Sequence, residues 1–499
     1  MRSTLVLVGT LSFCMVASAA SAETSCEGLS ALHLDHAVVT DARLVAAGPG
    51  ETSTTPGAPP PPMLSAHCRV QLDLKPTLDS LIKMELWLPP PDKWNGKFLG
   101  AGNGGFAGSI QGLRQGMPQA LNAGYATAGT DTGHQETGGK WAIGHPEKMI
   151  DFAYRSTHEM TLKAKQIVKS FYDKSPSRSY FSSCSTGGRM AVMEAQRYPE
   201  DYDGIVAGAL ANRHIRMWAA GIASGVELKI HPEEMLSKEQ AKLVNDLVTK
   251  TCDVRQEGFL NDPRQCKVDF ASLRCSAGKS EACLTEPELK TVSTFYGGVK
   301  NSKGELIFSG APLSRPITAS STNPNGPDGL FDLVRIARED ATLDWTTFDV
   351  DRDVPLLDQK LGFVDAVNPD LSKFKARGGK LLMYHGWADP AITAQNTIRY
   401  YESVLKTMGP EQGNWVRLFL VPGMGHCGGG PGLNGFESTR AIEQWVEQGT
   451  APTQLEGHGA NGLTRPLCPY PQSAEYSGSG DVKDGQNWSC KSQVPKGKS

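Results

Sequence analysis

Apolar and polar residues alternate along Ile82-Lys83-Met84-Glu85-Leu86-Trp87-Leu88, the period of a strand with one face toward a core and one toward water. Lys97 to Ala101 is a short apolar run leading into the glycine loop Gly102 to Gly108. Residues 125–130 predict another strand. Met160, Ala164, Ile167, Val168 and Phe171 recur at helical spacing and predict a helix over 158–172. A short strand at 179–182, a helix at 189–198 and a buried strand at 205–208 follow. This alternation is the pattern of a mostly parallel sheet covered by helices, an α/β fold. The rhythm fades between 212 and 376, where charged helices and Pro/Asn/Gly loops take over. It returns at 379–384 and 416–421, two apolar runs each followed by a polar, glycine-rich turn. The simplest architecture is one α/β domain, 23–211 and 377–499, split by an inserted segment at 212–376.

Composition narrows the class. With 50 basic against 53 acidic side chains the net charge is −3, which argues against a nucleic-acid binder, because neutralising phosphates needs a basic face. The chain has 11 cysteines, an odd number. Residues 1–22 read as a signal peptide: Arg2 is the positive start, Leu5 to Val16 is an apolar run too short to span a bilayer, and Ala20-Ser21-Ala22 is a cleavage pattern. Its removal takes Cys14 and leaves an even set of cysteines, suited to disulfides in a secreted or periplasmic protein. No other run is long and apolar enough for a membrane span, so no anchor is expected after cleavage. Composition does not fix the oligomeric state.

Three loops after apolar strands carry reactive side chains. The first is Ser183-Cys184-Ser185-Thr186-Gly187-Gly188, between a strand and a helix. A nucleophile on such an elbow is exposed, and the next backbone N–H points at the substrate oxyanion. Ser183 stands where the usual elbow has its first glycine. The second is His385-Gly386-Trp387-Ala388-Asp389-Pro390, and the third Pro422-Gly423-Met424-Gly425-His426-Cys427. Singly, each has an ordinary explanation: a Ser/Gly turn, a helix cap at Asp389 with Pro390 first in the helix, a lone histidine in a glycine loop. Gly423, Gly425 and Gly428 also spell G-x-G-x-x-G, but the glycines and proline that follow leave no helix to hold a pyrophosphate. Together the loops give the chain order Ser, Asp, His of α/β-hydrolases. Ser185 is then the nucleophile, His426 the base and Asp389 the orienting acid, with no cofactor needed for catalysis. The Thr186 N–H and one from the Gly102–Gly105 loop, Gly104 or Gly105, are the expected oxyanion donors. Cys184 precedes the serine and Cys427 follows the histidine, so a disulfide between them would tie the two loops together; Cys184 is itself the alternative nucleophile.

At these motifs, and at Gln196-Arg197-Tyr198-Pro199-x-Asp201-Tyr202-Asp203-Gly204, the chain resembles the tannase and feruloyl esterase family of secreted α/β-hydrolases. The resemblance implies a lid domain inserted over the site, at 212–376, and bonded Cys184 and Cys427. It also implies near-neighbour pairs Cys26–Cys68, Cys252–Cys266, Cys275–Cys283 and Cys468–Cys490. It implies a serine carboxylesterase acting on a small aromatic ester: a feruloyl-type hydroxycinnamate, with a galloyl ester or a terephthalate monoester as alternatives. A peptidase shares the triad, and a non-catalytic binding protein would share the shell. The resemblance also implies a structural calcium loop in the lid. Here the corresponding loop, from Cys252-Asp253 to Asp262-Pro263, is about one turn shorter, retains Asp253 and Glu257 as candidate ligands and gains Arg255, so a weakened site is expected. The aromatics Trp218, Phe295, Tyr296, Phe308, Phe331 and Trp345 and the cations Arg335 and Arg338 are candidate substrate contacts in the lid.

Overall fold

A computed structural model describes residues 24–50, 60–113, 116–276, 278, 280–322 and 328–492. The expected signal peptide, 1–22, lies outside the described residues. Nine strands form the main sheet: β1 (Ala37–Val45), β2 (His67–Leu74), β3 (Ile82–Leu88), β4 (Lys97–Ala101), β5 (Ala126–Thr130), β6 (Arg178–Cys184), β7 (Gly204–Gly208), β8 (Lys380–Gly386) and β9 (Val416–Val421). Their order is β1-β2-β3-β5-β4-β6-β7-β8-β9. The first three pairings are antiparallel and the remaining five parallel. The parallel strands read as continuous apolar runs because helices cover both faces. One face carries α1 (Ser156–Tyr172), α2 (Thr186–Arg197) and, near its edge, α8 (Ala394–Met408); the other carries α9 (Ser438–Gln448), whose Ile442 and Trp445 pack with Tyr180, Val206 and Leu382.

β3 departs from its pattern. Its period predicts a solvated face, yet Glu85 is buried and Lys83 only half exposed. The reason lies on neighbouring strands. Arg69 of β2 donates to both Glu85 oxygens at 2.6 and 2.7 Å, Trp87 Nε1 donates at 2.6 Å, and Lys83 pairs with Asp73. A carboxylate that accepts this many hydrogen bonds is stable out of water.

Between β7 and β8 lie helices α3 (His214–Ile230), α4 (Lys238–Cys252), α5 (Glu286–Gly297), α6 (Asp328–Arg338) and α7 (Val350–Leu361). Their entry and exit are pinned: Ala366 N–H donates to the Asn212 carbonyl, and Ile215 N–H to Asp365. Ile215, Phe331, Phe348 and Leu357 share one apolar cluster with Phe106, Trp141 and Phe152, which lie outside the insertion. A second cluster, with Val244, Leu284, Val292 and Ile317, is internal to the insertion. Leu371 and Phe374 pack in the core of the main sheet, so the exit returns to that sheet before 376. After β9 come β10 (Leu433–Gly435), β11 (Leu455–Gly459) and β12 (Thr464–Leu467), then the hairpin β13 (Ser473–Tyr476) and β14 (Trp488–Lys491).

Helix α2 carries a buried carboxyl, Glu194, facing Asp201, which in turn bonds His158 Nδ1 at 2.6 Å. Burial pushes the Glu194 carboxyl well above its usual range, and the adjacent Asp201 charge adds to the shift. The folded state therefore keeps this proton while the unfolded chain loses it above about pH 4.3. The stabilisation is complete below that pH and is lost as pH rises toward the folded-state value. Glu194→Gln removes the titration, so melting curves should show the variant gaining on wild type between pH 4.5 and pH 8. A difference independent of pH would overturn this assignment.

Candidate active site

The carboxyl ends of β4, β6, β8 and β9 open onto one edge of the sheet, where an α/β fold places its site. β6 ends at Cys184, and Ser185 turns the chain into α2 with φ 68°, a left-handed conformation uncommon for serine. The turn closes because its neighbours are small. A Cβ on Gly187 would overlap the Ser183 side chain, and one on Gly188 would overlap the Gly208 carbonyl. Ser183 fits in place of the usual glycine because Gly102 and Gly187 clear the space for its hydroxyl.

His426 Nε2 lies 2.9 Å from Ser185 Oγ, and His426 Nδ1 lies 2.8 Å from Asp389 Oδ2. Asp389 Oδ1 accepts the N–H groups of Ala391 and Ile392 at 2.7 and 2.9 Å. These bonds form an isolated turn, and the next helix starts later, at Ala394 with Thr393 as its cap; Asp389 is not a helix cap. A second histidine, His385, is fully buried with Nε2 3.2 Å from Asp389 Oδ2 and 3.0 Å from the Ile392 carbonyl. Thr397 Oγ1 bonds its Nδ1 at 2.7 Å. Burial opposes the Asp389 charge, but hydrogen bonds from His385 and His426 override it and hold the carboxyl well below the usual range. The acid stays ionised through the neutral range, as an orienting carboxylate must.

Cys184 and Cys427 are bonded across 243 residues, which removes Cys184 as a free nucleophile. The other pairs are Cys26–Cys68, Cys252–Cys266, Cys275–Cys283 and Cys468–Cys490. Around the expected oxyanion site, the Gly104 N–H is taken by Gln111 Oε1 at 2.8 Å, whereas no partner for the Gly105 N–H occurs among the described residues. Thr186 Oγ1 donates to the Gly105 carbonyl at 2.9 Å, joining this loop to the nucleophile turn. Asn103 braces it further, donating to the Thr130 carbonyl and accepting from Gln111 N–H.

Other expected contacts have different partners. Arg335 pairs with Asp328 and Asp332, and Arg338 with Asp353, so both cations are matched inside the insertion. Phe331 is core, and Trp218 stacks edge-on against Phe106. Tyr296 stacks on Phe270, and Trp345 is half exposed beside the Phe331 cluster. Phe295 and Phe308 line a cleft of about 350 Å³ with Met217, Leu228, Arg315 and Thr393, beside the Asp389 loop. Arg315, unremarkable in sequence, lies over the Phe295 ring. The candidate calcium ligands are engaged elsewhere: Asp253 accepts the Glu257 and Gly258 N–H groups, and Glu257 pairs with Arg465 at 2.6 Å.

A Ser-His-Asp chain on this edge of such a sheet defines the α/β-hydrolase class of serine hydrolases. A family model for tannase and feruloyl esterase matches residues 68–491. An uncharacterised esterase of Xanthomonas campestris pv. campestris is 34% identical over 98% of this chain and 94% of its own. A probable feruloyl esterase B-2 of Aspergillus terreus is 33% identical over 85% of this chain and 86% of its own. Among solved structures, feruloyl esterase B from Aspergillus oryzae gives a TM-score of 0.85 at 29% identity, covering 93% of this chain and 99% of that one. Tannin acyl hydrolase from Aspergillus niger shares the fold, with a TM-score of 0.75 at 23% identity and 92% of each chain covered. The chain belongs to the tannase and feruloyl esterase family and is a carboxylic ester hydrolase.

Two outcomes follow for the site. Asp389→Asn should lower kcat by about 10⁴-fold, because the amide favours the wrong imidazole tautomer. The double variant Cys184→Ala/Cys427→Ala should lose up to about 10²-fold in kcat/KM as the serine and histidine loops separate. Steady-state kinetics check both, and undiminished activity in the double variant would remove the disulfide from any role in positioning.

Proposed function

We propose that the protein is a secreted feruloyl-type esterase that cleaves esters of hydroxycinnamic acids through an acyl-enzyme on Ser185. The observation that carries this is the continuous chain Ser185–His426–Asp389, held at hydrogen-bond distances in a member of this family. Five disulfides fit an oxidising compartment, and no helix among the described residues is long and apolar enough to cross a membrane.

In this mechanism Ser185 Oγ attacks the acyl carbon while His426 Nε2 takes its proton. Asp389 fixes the Nδ1–H tautomer and stabilises the imidazolium. The oxyanion is met by the N–H groups of Thr186 and Gly105, the latter being the glycine donor left free by Gln111. Collapse expels the alcohol, protonated by His426. A water, deprotonated by the same histidine, then attacks the acyl-serine and releases the acid and the free serine. The segment between β7 and β8 acts as a lid, and Phe295 and Phe308 line a cleft in it beside Ala391 and Thr393 of the Asp389 turn.

Release of ferulate from methyl ferulate, followed chromatographically, tests the proposal. Wild type should turn over, and Ser185→Ala should lose several powers of ten in rate. Wild type inert to hydroxycinnamoyl esters, or faster on methyl gallate, would reject the feruloyl assignment.

A further inference from the structure

The loop closed by Cys252–Cys266 borders a cavity of about 380 Å³ lined by Asp253, Glu257, Asn261 and Asp262, an oxygen-rich setting of the kind that attracts a hard cation. A cation already reaches it from the C-terminal strands. Arg465 on β12 is fully buried, and its Nη2 donates to Glu257 Oε1 at 2.6 Å. The same nitrogen reaches the Val482 carbonyl at 3.3 Å, and Nη1 reaches Asn261 Oδ1 at 3.2 Å. The guanidinium lies 3.6 Å from the centre of the Trp488 ring, which fixes its plane.

Of the other carboxylates lining the cavity, Asp253 and Asp262 are also committed, and Glu475 is exposed on β13. Asp253 spends both oxygens on the loop's own N–H groups, at 3.0 and 2.8 Å. Asp262 is held by the Arg264 side chain at 2.8 and 2.7 Å. Arg255 adds positive charge, its guanidinium 5.2 Å from the Trp488 ring. A calcium ion needs six to eight oxygens, several from carboxylates. To gather them here it would have to break the Glu257–Arg465 pair and leave a buried guanidinium uncompensated, which is strongly unfavourable.

We infer that the Arg465 guanidinium is the resident cation of this loop, filling by a protein group the structural role that calcium is expected to fill. The loop is then closed by a disulfide and an ion pair, and its stability is independent of metal.

Metal analysis and thermal melts of the full chain test this. Wild type should carry no stoichiometric calcium, and its Tm should be unchanged by EDTA or by millimolar CaCl2. Arg465→Gln should lower Tm by several degrees, because Glu257 is left buried without its counter-charge. In that variant calcium should raise Tm in a concentration-dependent way, and Arg465→Gln/Glu257→Gln should lose that response. A purely packing role for Arg465 would lower Tm without creating any response to calcium, and that result would overturn the inference. So would one calcium per wild-type chain, or a fall in wild-type Tm on chelation; these two measurements decide the matter even where the variants fail to fold.

Discussion

The site depends on holding two strained turns against each other. Ser185 and Cys427 both have left-handed backbone, with φ 68° and 63°, and neither residue favours that region. The Cys184–Cys427 bond joins the residue before the serine to the residue after the histidine. Each turn is thereby held by the covalent partner of the other. The serine–histidine distance of 2.9 Å follows from this link, together with the parallel register of β6, β7, β8 and β9 that brings the three loops to one edge. The glycines around Ser185 and Gly208 then act as clearances, since any side chain there would push the elbow away from the disulfide.

The acid arm is built on a different physical basis. Asp389 is buried, which favours the neutral form, and it stays charged because four groups converge on it. Two backbone N–H groups hold one oxygen; His426 and His385 face the other. His385 has no access to substrate. Its Nδ1 is fixed by Thr397 and its Nε2 lies between the Ile392 carbonyl and the aspartate, so it presents a fixed dipole to the carboxylate. The insertion braces the same turn, with Ser314 bonding the Trp387 carbonyl and Thr393 bonding the Gly310 carbonyl.

Much of this was legible along the chain because it rests on local signals. Short apolar runs followed by glycine-rich polar turns marked β4, β6, β8 and β9, and the reactive residues sit in those turns. Cys184 and Cys427 were likewise informative because they flank two motifs, whereas the other four pairings came from the family resemblance, since spacing alone leaves connectivity open. What was hidden depends on partners distant in sequence. Glu85 looks like a solvated position until Arg69 is placed on the next strand. His385 is the last but one residue of β8, and it meets Asp389 only because the turn folds back on itself. The Asp389-Pro390 pair carries the signal of a helix start, yet the turn it makes is not continued into helix. Gln111 takes the Gly104 N–H through a side-chain bond that no spacing rule anticipates.

The loop held by Arg465 also connects to catalysis through packing. Phe259, next to Gly258 in that loop, is buried in one cluster with Met424 and Leu433, on either side of His426. A Cβ on Gly423 would lie 2.8 Å from its ring, so the histidine loop rests directly on it. The Arg465–Glu257 pair holds the base of this contact, and Asn261 extends it by donating to the Ala474 carbonyl at 2.7 Å. Insertion, histidine loop and C-terminal strands therefore form one braced unit. The disulfide to Cys184 fixes where the histidine loop meets the serine, and the Phe259 contact fixes what the loop rests against. The first is covalent and short, whereas the second passes through an ion pair that spans 208 residues of sequence. Of the two supports for the imidazole, the packed one is therefore the one exposed to changes in the charge balance of the insertion.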